Sequence, residues 1–287
     1  MSRDIPGVKD QMIFSPSYPI ELLSHKPFQL DYQALKEALG QRLGRVDVPD
    51  DLAPDKAFLF FLRDYPVELE DAMVTAQLTL LGTDKPLEPE RYREALQQCW
   101  DIEDPAETLG RCHYSMVLIN MMSSSLPQHV RRQITARALL TLMEQSEVDL
   151  IYSAPTERLI APQELVSEIS KPDQITNPTY GFTNVRFYNI EDTDGDMVMD
   201  TLGLGALGLT DLQIHYRNLA PGEVAAKMYN IAAYILENGD VIENGNTVQG
   251  LKPEDHWRCH HEMSLIPPER PVLDINPGAP FAAGNRQ

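Results

Sequence analysis

The chain has 287 residues, 43% of them apolar, which suits one large domain or two ordinary ones of roughly 100–200 residues each. Asp and Glu number 43 against 24 Lys and Arg, a formal net charge of −19. A chain this acidic lacks the basic face that a nucleic-acid backbone or an anionic lipid surface requires. No apolar run approaches the roughly 18 residues of a membrane-spanning helix. The first residues, MSRDIPGVKDQ, lack a signal-peptide stretch, and three cysteines make no disulfide framework. An acidic, soluble, cytoplasmic protein in a reducing compartment is expected.

Residues 1–30 read as irregular, punctuated by Pro6, Pro16, Pro19 and Pro27. A helix is expected over 31–43: Asp31 can cap it, Leu35, Leu39 and Leu43 recur on one face, and Gly44 can stop it. Residues 46–55, with two prolines and four aspartates, read as a loop. The run AFLFFL at 57–62 suits a strand buried on both faces. Residues 72–81 alternate, with Val74, Ala76, Leu78 and Leu80 on one side, as in a half-buried strand.

A helix is expected over 90–100, then a strong strand, HYSMVLINMM, at 113–122. A long helix follows over 128–145, with Ile134, Ala138 and Leu142 on one face. A strand at 148–152 and a helix at 162–169 complete this half. Residues 171–178, KPDQITNP, form the natural boundary. Beyond it, strands at 183–190 and 197–202 flank an Asp-Gly turn. A strand at 209–216, a helix over 222–237, short strands at 240–242 and 247–249, and late strands at 256–265 and 272–275 follow.

Mixed elements joined by tight turns indicate an α+β fold, largely antiparallel, with helices packed on one face of the sheets. The expected division is an irregular or helical segment at 1–55, α+β subdomains at 56–170 and 171–276, and a flexible tail at 277–287.

Several local patterns could carry chemistry. Gly203-Leu-Gly-Ala-Leu-Gly208 matches GxGxxG, but a dinucleotide site needs a helix next, and the following segment reads as a strand. Asp192, Asp194 and Asp196 alternate like calcium-loop ligands, yet Met197 and Gly203 occupy the positions that need Gly and Glu. His256, Cys259, His260 and His261 cluster, but a strand would turn His260 away from Cys259 and His261. Ser123 to Ser125 suit a helix cap better than a nucleophile, and no GxSxG motif occurs. Arg131, Arg132 and Arg137 form a small basic island that can pair with carboxylates or hold an anion.

The run Thr201-Leu-Gly-Leu-Gly-Ala-Leu-Gly-Leu-Thr-Asp-Leu-Gln213 resembles the signature of a bacterial domain-of-unknown-function family, number 4261, in which "TLGL" precedes "GLxDLQ". The helix at 224–237, followed by Asn238-Gly-Asp-Val-Ile242, is similar too. Looser likeness extends over CHYSMVLINMM, RALLTLM and VDLIYSAPTERLIAP, so that it spans about 55–275 and is strongest over 183–250. The resemblance implies no activity and assigns no residue a role.

The leading expectation is a non-catalytic protein that binds a protein partner, basic in charge, as a toxin-neutralising immunity protein or a secretion-associated adaptor. Its candidate binding residues are Asp192, Asp194, Asp196, Arg217, His256 and His260. No catalytic residue, metal or cofactor is assigned. The alternatives are a hydrolase-type enzyme assembled from His215, Arg217, His256, His260 and Asp211, and an assembly component whose strand bearing Met116, Met121 and Met122 is sticky.

Overall fold

A computed structural model describes residues 18–49, 57–69, 72–83, 86–169 and 179–284. The chain divides into two compact units, one over the described residues of Ser15–Phe182 and one over those of Thr183–Gln287.

The first unit runs β1 (Tyr18–Ser24), α1 (Tyr32–Leu43), β2 (Val46–Asp47), β3 (Ala57–Leu69), β4 (Ala72–Thr83), α2 (Arg93–Gln97), α3 (Pro105–Arg111), β5 (Tyr114–Met121), α4 (Gln128–Gln145), β6 (Leu150–Ser153), β7 (Arg158–Ile160) and α5 (Pro162–Ile169). Its seven strands are antiparallel in the order β2-β3-β4-β5-β1-β6-β7. Alternation sets one face. Phe58, Phe60, Leu62, Ala76, Leu78, Leu80, Leu118, Ile20 and Leu22 are buried. Tyr32 of α1 packs its ring on Phe58 and Phe60, and Asn120 bonds Arg131 and Thr135 of α4, so both helices cover this face.

Helix α1 forms as its sequence dictates. Asp31 accepts from Ala34 N at 2.7 Å, Leu35, Leu39 and Leu43 are buried, and Gly44 ends it at φ 80°. The opposite face at the β1 and β6 end holds a second apolar cluster, with Tyr92, Ala95 and Leu109 packed on Leu23, Leu150 and Tyr152.

The second unit runs β8 (Asn184–Asn189), β9 (Met197–Leu202), β10 (Asp211–Tyr216), α6 (Pro221–Asn238), β11 (Thr247–Gln249), β12 (His256–Met263) and β13 (Pro271–Asn276). Its six strands lie in the order β11-β12-β13-β10-β9-β8, parallel only between β10 and β13. Val185, Met199, Leu212, Ile214, Leu273 and Ile275 share one buried face. These residues and the buried stripe Val224, Met228, Ile231 and Ile235 of α6 form the unit's core. The architecture is α+β, in two mostly antiparallel sheets.

Several expectations need correction. Residues 18–49 are not a separate irregular segment, because β1 sits between β5 and β6 inside the first sheet and α1 packs on α4. The unit boundary lies at 182/183, and 171–178, the expected boundary segment, falls outside the described residues, as do 50–55 of the expected loop. Strand β3 is buried on one face only: Ala57 is exposed and Leu59 and Phe61 are half-buried. Residues 240–242 make no strand, since β11 pairs with β12 alone. The helix expected at 90–100 is a short 3-10 turn plus the five residues of α2, and α3 was not anticipated. The tail is packed as far as Ala283. Arg217 N donates to Phe281 O, Ala282 bridges Tyr216, and Ala283 is fully buried.

Candidate functional site

The register of the second sheet aligns a row of polar residues across five strands. Arg186 of β8 stands opposite Asp200 of β9, Asp200 opposite Gln213 of β10, Gln213 opposite Asp274 of β13, and Asp274 opposite His260 of β12. His215 and Asp211 flank Gln213 on the same face, and Glu262 flanks His260. Arg186, Asp200, Gln213, His215, Asp211 and Asp274 are all buried. Buried charge is tolerated only when compensated, and the row meets this demand differently at its two ends.

The β8–β9 end is an ionic clamp. Arg186 grips both carboxylate oxygens of Asp200, with Nε at 2.9 Å and Nη2 at 2.6 Å. Arg270 adds Nη2 to Asp200 at 2.8 Å and Nε to Asp211 at 3.2 Å. Two guanidinium groups thus balance two carboxylates. Arg186 and Arg270 also donate to Pro267 O, Ile266 O and Pro268 O, which fixes the 264–270 connection to the sheet.

The β10–β13–β12 end gathers imidazoles and carboxylates. His215 Nε2 lies 3.8 Å from Asp274 Oδ1, and His260 Nδ1 lies 3.7 Å from Asp274 Oδ2. His260 Nε2 is 3.2 Å from Glu262 Oε2. Gln213 Nε2 donates to Glu262 Oε1 at 2.8 Å, while Gln213 Oε1 accepts from Leu265 N. Among the described residues, His215, Glu262 and Asp274 offer ligand atoms all within 4.8 Å of one another. The His260 and Glu262 side chains keep 23% and 15% of their surface, so this end is not sealed. On the opposite face, burial, with the Asp274 charge adding to it, pushes the Cys259 thiol up to about 12.

The expected site residues separate accordingly. His260 and His215 converge on Asp274. Asp211 belongs to the clamp. Asp196 pairs with Arg217 at 2.6 Å, while Asp192 and Asp194 lie exposed in the β8–β9 turn, so the three aspartates do not converge. His256 is exposed at the start of β12. Cys259 and His261 are buried on the face away from His260, as strand alternation requires. Asp200 stands beyond the aspartate run in sequence, while Glu262, Asp274, Gln213, Arg186 and Arg270 carry no local pattern. The available signal was an aspartate inside the apolar strand Val-Leu-Asp-Ile, since such residues are seldom buried without partners.

The GxGxxG run has a structural explanation. Leu204 N and Gly205 N donate to the Asp211 carboxylate at 3.1 and 3.3 Å, and Thr201 Oγ1 donates to it at 3.0 Å. Thr201 Oγ1 also accepts from Leu212 N at 2.8 Å. The backbone amides that would cradle a phosphate hold an internal carboxylate instead. Gly203 at φ 129° and Gly208 at φ 86° take backbone shapes that favour glycine.

A second candidate surface lies on the first unit. The side of β3, β4 and β5 away from α1 and α4 presents Leu59, Phe61, Leu81, Val117, Ile119 and Met121. Leu81 and Met121 are 40% and 37% exposed, and the other four are half-buried. Met116 points to the opposite, buried face.

Two sheets in separate units, the second carrying a buried row of charge, define a two-unit α+β protein. Residues 200–276 match the family model described as Domain of unknown function (DUF4261). That segment starts at Asp200 and ends at Asn276, and it contains Asp211, Gln213, His215, His260, Glu262, Arg270 and Asp274. No curated protein and no solved structure matches the chain. Among the described residues, no helix is long and apolar enough to cross a membrane.

Proposed function

We propose that the protein binds a basic protein partner, without catalysis, on the partly exposed apolar face of β3, β4 and β5. The observation that carries this reading is the face itself: six apolar side chains on three paired strands, half-buried or exposed. The apolar side chains flank Thr79 and Gln77 of β4, and apolar groups left accessible beside polar ones are a feature of protein–protein surfaces. The net charge of −19 favours a basic occupant, because complementary charge speeds encounter and rejects acidic competitors. A bacterial cytoplasmic immunity protein or secretion-associated adaptor fits this description.

The test compares proteins retained from the native host by the full chain and by the Leu81→Asp/Met121→Asp variant, at low and moderate salt. The reading predicts one basic protein, recovered stoichiometrically, weakened by salt and lost with the variant. Recovery of the chain alone, or equal retention by the variant, would overturn it.

A second reading, a hydrolase-type enzyme, is favoured by the convergence of His215, His260, Glu262 and Asp274. A third, self-assembly, would use the same apolar face, and mass measured against concentration separates it from partner binding.

A further inference from the structure

The geometry points to a divalent transition-metal site on the second sheet, with His215, Glu262 and Asp274 as ligands and His260 beside them as a positioning residue. Three features carry it. The first is placement: the ligands come one each from β10, β12 and β13, adjacent strands whose register puts all three on one face. A site built on paired strands is held in shape by the sheet rather than by a mobile loop.

The second is spacing. The ligand atoms of the three residues lie within 4.8 Å of one another, and the His215–Asp274 separation is 3.8 Å. A tetrahedral ion bonded at about 2.0–2.2 Å sets its ligands roughly 3.3–3.6 Å apart. Small side-chain rotations reach that geometry. The two imidazoles approach opposite oxygens of Asp274 at 3.7 and 3.8 Å.

The third is the surrounding shell. Gln213 donates to Glu262 Oε1, and His260 Nε2 lies 3.2 Å from Glu262 Oε2. Metal-binding carboxylates are normally oriented by such outer partners. One imidazole with two carboxylates suits zinc, cobalt, manganese or iron, whereas calcium and magnesium select oxygen ligands in larger number. Three protein ligands leave a position for water or a substrate, on the side where His260 and Glu262 keep exposed surface. This site is independent of the apolar face of the first unit.

The test uses the full chain, freed of any affinity tag and stripped with chelator, titrated with zinc by calorimetry and with cobalt(II) by visible absorption. The expected result is one equivalent bound, cobalt bands of a four-coordinate site, and no displacement by millimolar calcium or magnesium. His215→Ala, Glu262→Gln and Asp274→Asn each weaken binding at least tenfold, and His256→Ala leaves it unchanged. Glu262 is half-buried, so Glu262→Gln carries the test if Asp274→Asn does not fold. No saturable binding, binding equal in all variants, or equal loss in His256→Ala would overturn the site.

Discussion

Thr201 and Asp211 face each other at 3.0 Å, hydroxyl to carboxylate, and together they close the glycine-rich run between β9 and β10. Thr201 passes the link on by accepting from Leu212 N, and Asp211 gathers Leu204 N, Gly205 N and Arg270 Nε. The most recognisable stretch of the sequence is therefore a fastening. It ties the β9–β10 connection to Arg270, and through Arg270 to Asp200 and the polar row.

Breaking that fastening should cost stability. Burial pushes the Asp211 carboxyl up, and Arg270 is the largest opposing influence. Removing its charge leaves Arg270 with a single carboxylate partner, Asp200. Asp211→Asn should lower unfolding stability by on the order of 1–3 kcal/mol, because an amide nitrogen cannot accept from the Leu204, Gly205, Thr201 and Arg270 donors that the two carboxylate oxygens gather. Thr201→Val should lower it by about 1–2 kcal/mol, because Leu212 N loses its acceptor. Denaturant midpoints measure both, and an Asp211→Asn protein as stable as the parent would contradict the role given to Asp211.

Acid stability should depend on a contact in the first unit. Burial raises the Asp149 carboxyl, but the ring and backbone N–H of His25 outweigh it, and the net shift is downward from 3.8. A carboxylate with a depressed native pKa adds stability that is present above its ordinary value and lost as pH falls through the native one. Asp149→Asn should therefore be less stable than the parent above about pH 5 and should converge with it in stronger acid. Melting curves across that range check the sign; a difference that grows in acid would contradict it.

The thiols should be unreactive in the native state. Burial pushes Cys112 up to about 11 and Cys259 up to about 12, and it also raises half-buried Cys99. Since thiolate is the nucleophile, labelling of the folded chain at pH 8 should be slow and confined to Cys99, with the other two released by denaturant. Fast modification of Cys112 or Cys259 would contradict their placement.

Much of the fold was legible where a signal is local. Asp31, the leucines at four-residue spacing and Gly44 bound α1, and the Asp-Gly pair marks the β8–β9 hairpin. The central place of β1 was not legible, because nothing in 18–24 states which strands it will pair with. The same holds for the polar row. His215 and His260 could be noticed as residue types, but Asp274 joins them only through a parallel pairing to β10 and an antiparallel one to β12. The acidic turn at 192–196 had the stronger local pattern, yet its inward member, Asp196, is taken up by Arg217.

The most direct measurement of the His215–Glu262–Asp274 centre is anomalous scattering at the zinc edge from crystals of the full chain grown with one equivalent of zinc. The account predicts a single strong peak about 2.0–2.2 Å from His215 Nε2 and from one oxygen each of Glu262 and Asp274. A map with no peak there, or with zinc only at exposed His256, would contradict it.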